Sequence, residues 1–197
     1  MTSERYEGIK FRVEFTSKEP PHDEKLVDLK AWCKKFHDLG LAPPYEGGSY
    51  GNLSCRMAAK SDAFIITGSR IGMKHELSDD CFVLVNSCDP EKELVSVSGS
   101  REPSSETILH CAIYHNRKDI NAIFHGHSQK ILKWAQKLNI TETREEKPYG
   151  TVDLVESLLE VLGSENFLII KNHGFISMGK SMEEAGNLAL LMYNSCK

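Results

Sequence analysis

No run in the 197-residue sequence approaches the ~18 consecutive apolar residues of a membrane-spanning helix. The segment Met1 to Phe15 is polar and mixed in charge, without the apolar stretch of a secretory leader. Basic residues are not in excess: 24 Lys and Arg stand against 28 Asp and Glu, a formal net charge of −4. Such a balance supplies no global field for nucleic acid or an anionic membrane, so neither is expected as a partner. The cysteines, at positions 33, 55, 81, 88, 111 and 196, include no CxxC pair, and several sit inside apolar runs. Reduced, buried thiols in a cytoplasmic protein are expected, rather than a disulfide scaffold or a zinc ribbon. Internal repeats and low-complexity tracts are missing as well.

What remains is an ordinary globular composition, 40% hydrophobic and 26% charged, on a chain long enough for one domain with a real core. Residues 1–22 read as an N-terminal β arm, with Ile9, Phe11, Val13 and Phe15 alternating before Pro20-Pro21. Residues 23–197 form the main domain. A helix begins at Asp23, buries Leu26, Leu29, Cys33 and Phe36, and stops at Gly40. After a Pro/Gly-rich loop, short strands are expected at Leu53–Ala58, Ala63–Thr67, Phe82–Asn86 and Leu94–Ser98. Pro103-Ser104 opens a helix that ends near Arg117. Further helices start at Ser128, running through Leu138, at Thr151, and at the capping box Ser181-Met182-Glu183-Glu184. Phe167–Lys171 is a strand. Short strands mixed with helices predict one layered domain with helices over a sheet.

The most informative segment is Ile123-Phe124-His125-Gly126-His127. Alternate residues of a strand face one way, so the two imidazoles project side by side. Neutral imidazole is the commonest metal ligand, and two on one strand make half of a tetrahedral site. Alone, the pair reads equally well as surface histidines. Glu106, 19 residues before His125, and His173, 46 residues after His127, change that balance. Each sits at an element end, Glu106 in a first helical turn and His173 just past an apolar strand. Three imidazoles and a carboxylate are a sensible set for Zn²⁺ or a similar divalent ion. His110, one turn after Glu106, is a candidate supporting partner. His115 suits a helix end, and His22, His37 and His75 read as surface residues.

A second chemistry adjoins the first. Hydroxyls and free N–H groups at the start of the helix, around Ser104-Ser105-Glu106, suit an anion such as phosphate. Gly51-Asn52 and Thr67-Gly68-Ser69, with Arg70 nearby, are loops that could complete the cradle. Taken singly, each loop reads as an ordinary turn.

Five anchors occur in order: Gly51-Asn52-Leu53-Ser54, Ile66-Thr67-Gly68-Ser69, Pro103-Ser104-Ser105-Glu106, His125-Gly126-His127-Ser128 and Asn172-His173-Gly174. In order and spacing, over about residues 23–195, they resemble the class II aldolase/adducin family. The resemblance implies an α/β fold, a three-layer α/β/α sandwich around a mainly antiparallel sheet, assembled as a homotetramer with sites at subunit interfaces. It implies His125, His127 and His173 as metal ligands, and Glu106 as an acid/base residue that also approaches the metal. Asn52, Gly68, Ser104 and Ser105 would contact phosphate, with Gly51 and Thr67 shaping the phosphate-binding loops. One divalent ion per subunit is implied, Zn²⁺ first, with Mn²⁺, Co²⁺, Ni²⁺ or Fe²⁺ as alternatives.

The implied activity is aldol cleavage of a small phosphorylated ketose, such as a fuculose-1-phosphate-like sugar. The metal would stabilise the enediolate, the carboxylate would shuttle a proton, and phosphate binding would hold the substrate in place. Epimerases and dehydratases of the family share that core, and its adducin branch is non-catalytic. The aldolases' proton-donating tyrosine has no counterpart in Asn139 to Lys147, and Tyr149 aligns elsewhere. Outside the family, HxH also occurs in all-β cupins and in iron oxygenases, which the expected helices oppose.

Overall fold

In a computed structural model, residues 7–197 are described. The first six positions of the expected arm lie outside the described residues. The elements run β1 (Arg12–Ser17), α1 (Lys25–Asp38), β2 (Pro44–Tyr45), β3 (Gly48–Ser49), β4 (Asn52–Arg56), β5 (Phe64–Thr67), β6 (Phe82–Asp89) and β7 (Leu94–Ser98). They continue with α2 (Thr107–Asn116), β8 (Ala122–Gly126), α3 (Gln129–Trp134), α4 (Val152–Leu159), β9 (Phe167–Ile170), β10 (Gly174–Gly179) and α5 (Met182–Ser195).

Eight strands form one sheet in the order β1-β7-β6-β5-β4-β8-β10-β9, while β2 and β3 pair as a separate hairpin. Every neighbouring pair in the large sheet is antiparallel except β1 with β7, which is parallel. Because side chains alternate along a strand, the sheet carries two cores. Ile66, Val83, Val85, Ile123 and Ile176 meet α2 and α4 on one face. Leu53, Ile65, Phe82, Phe124 and Phe175 meet α1, α3 and α5 on the other. The result is the expected three-layer sandwich. Phe36 is fully buried and packs edge-on to Phe124 with centroids 5.6 Å apart. Truncating such a ring to alanine costs about 3–5 kcal/mol.

Local chemistry sets the helix starts. Ser128 Oγ accepts from Ile131 N–H (3.3 Å), and Thr151 Oγ1 accepts from Leu154 N–H (3.3 Å). Ser181 Oγ accepts from Glu184 N–H (3.1 Å), but Glu184 Oε2 takes the Lys180 N–H (2.8 Å) and so closes the box one residue early.

Several expectations are corrected. The helix expected from Pro103 starts at Thr107, because Ser104 N–H is tied to the Thr67 carbonyl (3.1 Å) and Pro103 bridges Gly68. The helix from Ser128 stops at Trp134 and gives way to turns that close at Asn139, in the left-handed region (φ 52°). Strand β10 was not expected, because its glycine ends and uninterrupted burial show no period of two. No helix among the described residues is long and apolar enough to cross a membrane.

Candidate active site

The centre of the sheet, β4-β8-β10, organises the site. His125 lies on β8 with Asn52 of β4 opposite it on one side and Ile176 of β10 on the other. Gly51, just before β4, has φ +75°, and a Cβ there would fall 2.7 Å from the His125 carbonyl oxygen. Only glycine permits that crossing. His127 sits one residue beyond the strand, not on it, and its N–H is held by the Leu41 carbonyl (2.8 Å). His173 occupies the turn joining β9 to β10, with its N–H on the Ile170 carbonyl (3.0 Å). Glu106 is the N-cap residue of α2 rather than part of its first turn.

These four side chains converge. His125 Nε2 and His127 Nε2 are 3.0 Å apart. Glu106 Oε2 is 3.2 Å from His125 Nε2, and Oε1 is 2.9 Å from His173 Nε2. Ligand atoms from the three imidazoles all lie within 4.8 Å of one another. The ring of Tyr50 stacks on His127, centroids 4.8 Å apart.

The protonation pattern follows from the partners. A carbonyl oxygen only accepts, so His125 Nδ1, 2.9 Å from the Phe175 carbonyl, carries the proton. Its Nε2 is then a lone pair facing His127 and the Glu106 carboxylate. Burial holds the His125 imidazole below its ordinary range; it does the same for His127, reinforced by His173 and His125. Burial opposes charge on Glu106, but the facing His125 and His173, with the His173 hydrogen bond, hold its carboxyl well below the usual value. Imidazole nitrogens and a carboxylate converging at this spacing are satisfied by ring protons or by a cation lying among them. The donor set fits a divalent ion.

Above this cluster opens a cleft lined by Gly51, Asn52, Gly68, Ser104, Ser105, Glu106, His127 and His173. Thr67 is apart from it: buried, with its hydroxyl oxygen accepting from Leu53 N–H (3.3 Å). Part of the expected cradle of free N–H groups is already committed. Gly68, Ser69 and Ser104 donate theirs to the carbonyls of Cys81, Glu102 and Thr67 at 2.8, 2.9 and 3.1 Å. Ser69 and Ser104 offer their hydroxyls to an anion, and Gly68, with no side chain, gives the wall its shape. Asn52 donates from Nδ2 to Glu106 Oε2 at 2.7 Å.

Sequence reasoning missed Tyr45 and Tyr50, set Tyr149 aside as aligning elsewhere, and gave Arg70 only a neighbouring place; all four line the cleft. Tyr149 is buried, its hydroxyl accepting from Glu7 N–H (2.5 Å) and its ring under the Lys10 ammonium (4.0 Å). The one signal for Tyr50 was its position directly before Gly51. His110 does not bond Glu106 through its side chain; its Nδ1 is 2.7 Å from Ser54 Oγ. His37 and His75 are half-buried and face each other at 4.8 Å instead of lying on the surface, whereas His22 is exposed as expected.

Known proteins resemble this chain in sequence and in fold. The chain is 32% identical over 174 residues to an L-fuculose phosphate aldolase of Methanococcus maripaludis, covering 81% of this chain and 87% of that protein. It is 26% identical over 160 residues to a methylthioribulose-1-phosphate dehydratase of Bacillus subtilis, covering 68% of this chain and 74% of that one. Its fold matches a sugar-phosphate aldolase structure from Thermotoga maritima with a TM-score of 0.72 at 19% identity, covering 88% and 92% of the two chains. Residues 27–197 match the class II aldolase and adducin N-terminal domain, and the chain belongs to that family.

Proposed function

We propose that this protein is a divalent-metal-dependent lyase that cleaves a small phosphorylated ketose into an aldehyde and a three-carbon ketone, one of which carries the phosphate. The convergence of His125, His127, His173 and Glu106 at the base of one cleft carries this reading. The relatives named as aldolases of a sugar phosphate support it. In the proposal the three histidines hold the ion, Zn²⁺ first, with Glu106 beside it. The ion supplies Lewis-acid stabilisation of negative charge on the substrate oxygens.

The chain's own groups do the rest. Glu106, kept ionised by its neighbours, would carry the proton: the hydroxyl hydrogen of the carbon that becomes the aldehyde leaves as the carbon–carbon bond breaks, and a proton is delivered to the carbon beside the ketose carbonyl. Asn52 holds one of its oxygens, so the carboxylate meets the substrate in one orientation. Ser104 and Ser105, with Gly51, Asn52 and Gly68 shaping the walls and Arg70 at the rim, receive the phosphate. Thr67 serves from behind, by holding the strand that carries Asn52. A homotetramer in the cytoplasm completes the proposal; the six free thiols suit that compartment.

The test is a panel of ketose 1- and 5-phosphates incubated with metal-loaded protein, watched for a new aldehyde. Conservation of the full carbon chain in every product overturns cleavage. Loss of water with the chain intact establishes the second reading, a dehydratase, which the Bacillus subtilis relative favours.

A further inference from the structure

Strand β4 and helix α2 meet through polar side chains in a stretch otherwise built of apolar ones. Asn52, Ser54 and Arg56 share one face of β4, a repeat of roughly 6.8 Å. Glu106, His110 and Tyr114 share one face along α2, a repeat of about 6.0 Å. The two repeats nearly match, and the side chains pair rung by rung. Asn52 Nδ2 donates to Glu106 Oε2 at 2.7 Å. Ser54 Oγ lies 2.7 Å from His110 Nδ1 and 2.9 Å from the Tyr114 hydroxyl. Arg56 Nη2 donates to the Tyr114 carbonyl at 2.6 Å, and its guanidinium carbon sits 4.3 Å from the Tyr114 ring centroid. All six residues are buried.

We infer that Ser54 and His110, backed by Tyr114 and Arg56, are positioning residues that fix the axial place and rotation of α2 and thereby aim the Glu106 carboxylate at the histidine cluster. The inference rests on the proposed role of Glu106. Apolar contacts alone tolerate small slides of a helix over a sheet, whereas a slip here would strand buried polar groups. The first rung is also the rung that touches Glu106. The neighbour of Asn52 across the sheet is His125, so the ladder ties the carboxylate to a strand registered directly against the imidazole it faces.

His110 shows a cost that packing does not explain. Among the described residues its Nε2 has no hydrogen-bond partner, and neither has Asn52 Oδ1. Burial pushes the His110 imidazole down to about 3, so the ring is neutral. A phenyl ring would fill the same space without an orphaned nitrogen. A histidine kept there is accounted for by the orientation it gives to the ladder.

The variants are Ser54→Ala, His110→Phe and the conservative His110→Gln. The protein is loaded with Co²⁺, whose visible absorption reports ligand geometry. Ser54→Ala is expected to lower kcat about tenfold or more, with KM within twofold, and to shift the Co²⁺ spectrum. His110→Phe should do the same while melting no lower than the parent, and His110→Gln should recover part of the loss. A kcat within twofold together with an unchanged Co²⁺ spectrum overturns the inference. So does a loss that follows melting temperature across the series. If His110→Phe fails to fold, Ser54→Ala decides alone. If the parent turns over no ketose phosphate, the proposed function fails separately, and an unchanged or altered Co²⁺ spectrum still decides the ladder.

Discussion

His173 Nε2 lies 2.9 Å from Glu106 Oε1, which joins the turn between β9 and β10 to the N-cap of α2. Two segments 67 residues apart in sequence thus share one hydrogen bond at the base of the cleft. The contact sets Glu106 between these two segments, with its other oxygen on Asn52.

Glu106→Gln keeps the size of the side chain and its bond to the cluster but removes the base. Turnover should fall by about 10²–10⁴-fold, the usual worth of a placed acid/base group, while metal content stays near one ion per chain. Steady-state rates and elemental analysis of the same preparation check this. Near-normal turnover removes Glu106 from proton transfer.

His127→Ala removes one of three converging imidazoles and the ring on which Tyr50 stacks. Metal affinity should drop at least tenfold in a chelator competition. The exposed His22→Ala is the control and should leave affinity unchanged. Equal metal retention by both variants would refute ligation by His127.

Gly51→Ala places a methyl 2.7 Å from the His125 carbonyl at a φ of +75°. An L residue is strained there, so destabilisation should exceed about 1 kcal/mol. Thermal unfolding measures it, and metal affinity should weaken alongside because β8 must shift. An unchanged melting temperature would show that the backbone crossing yields freely.

The pH dependence of apo-protein stability follows from the buried histidines. His110 falls from an ordinary 6.5 to about 3 in the folded chain. Between those values the unfolded chain binds the extra proton, so stability rises with pH. The contribution is complete above about pH 6.5 and is lost as pH falls toward 3. His125 and His127 are lowered too and act in the same direction. Urea unfolding of the apo-protein from pH 7 to pH 4 should show a limb that His110→Phe makes shallower by up to about one proton. Parallel limbs for the two proteins would contradict the neutral, buried ring.

Much of this was legible in the chain. The apolar periodicity of Leu26, Leu29, Cys33 and Phe36 gave α1, and Ser128, Thr151 and Ser181 marked helix starts by their side-chain oxygens. His125, His127, His173 and Glu106 could be grouped because each stood at an element end, where side chains reach a shared space. Strand β10 was hidden, since burial on both faces erases alternation. The commitments of the Gly68, Ser69 and Ser104 amides were hidden too, because they depend on which carbonyl lies opposite in space. The pairing of Ser54 with His110 required knowing that β4 runs under α2, and no local signal carries that.

The order of the large sheet also bears on how copies of this chain can meet. At one end, the outer side of β9 is already engaged: Thr143 N–H reaches the Ile169 carbonyl, and Ile169 N–H reaches that of Thr141. At the other end, β1 exposes Arg12 and Glu14, charged side chains of the kind that discourage edge-to-edge pairing. Among the described residues, growth by adding strands is therefore disfavoured at both ends. An assembly of this protein has helix faces and loop rims to use, and the mouth of the cleft is one such rim.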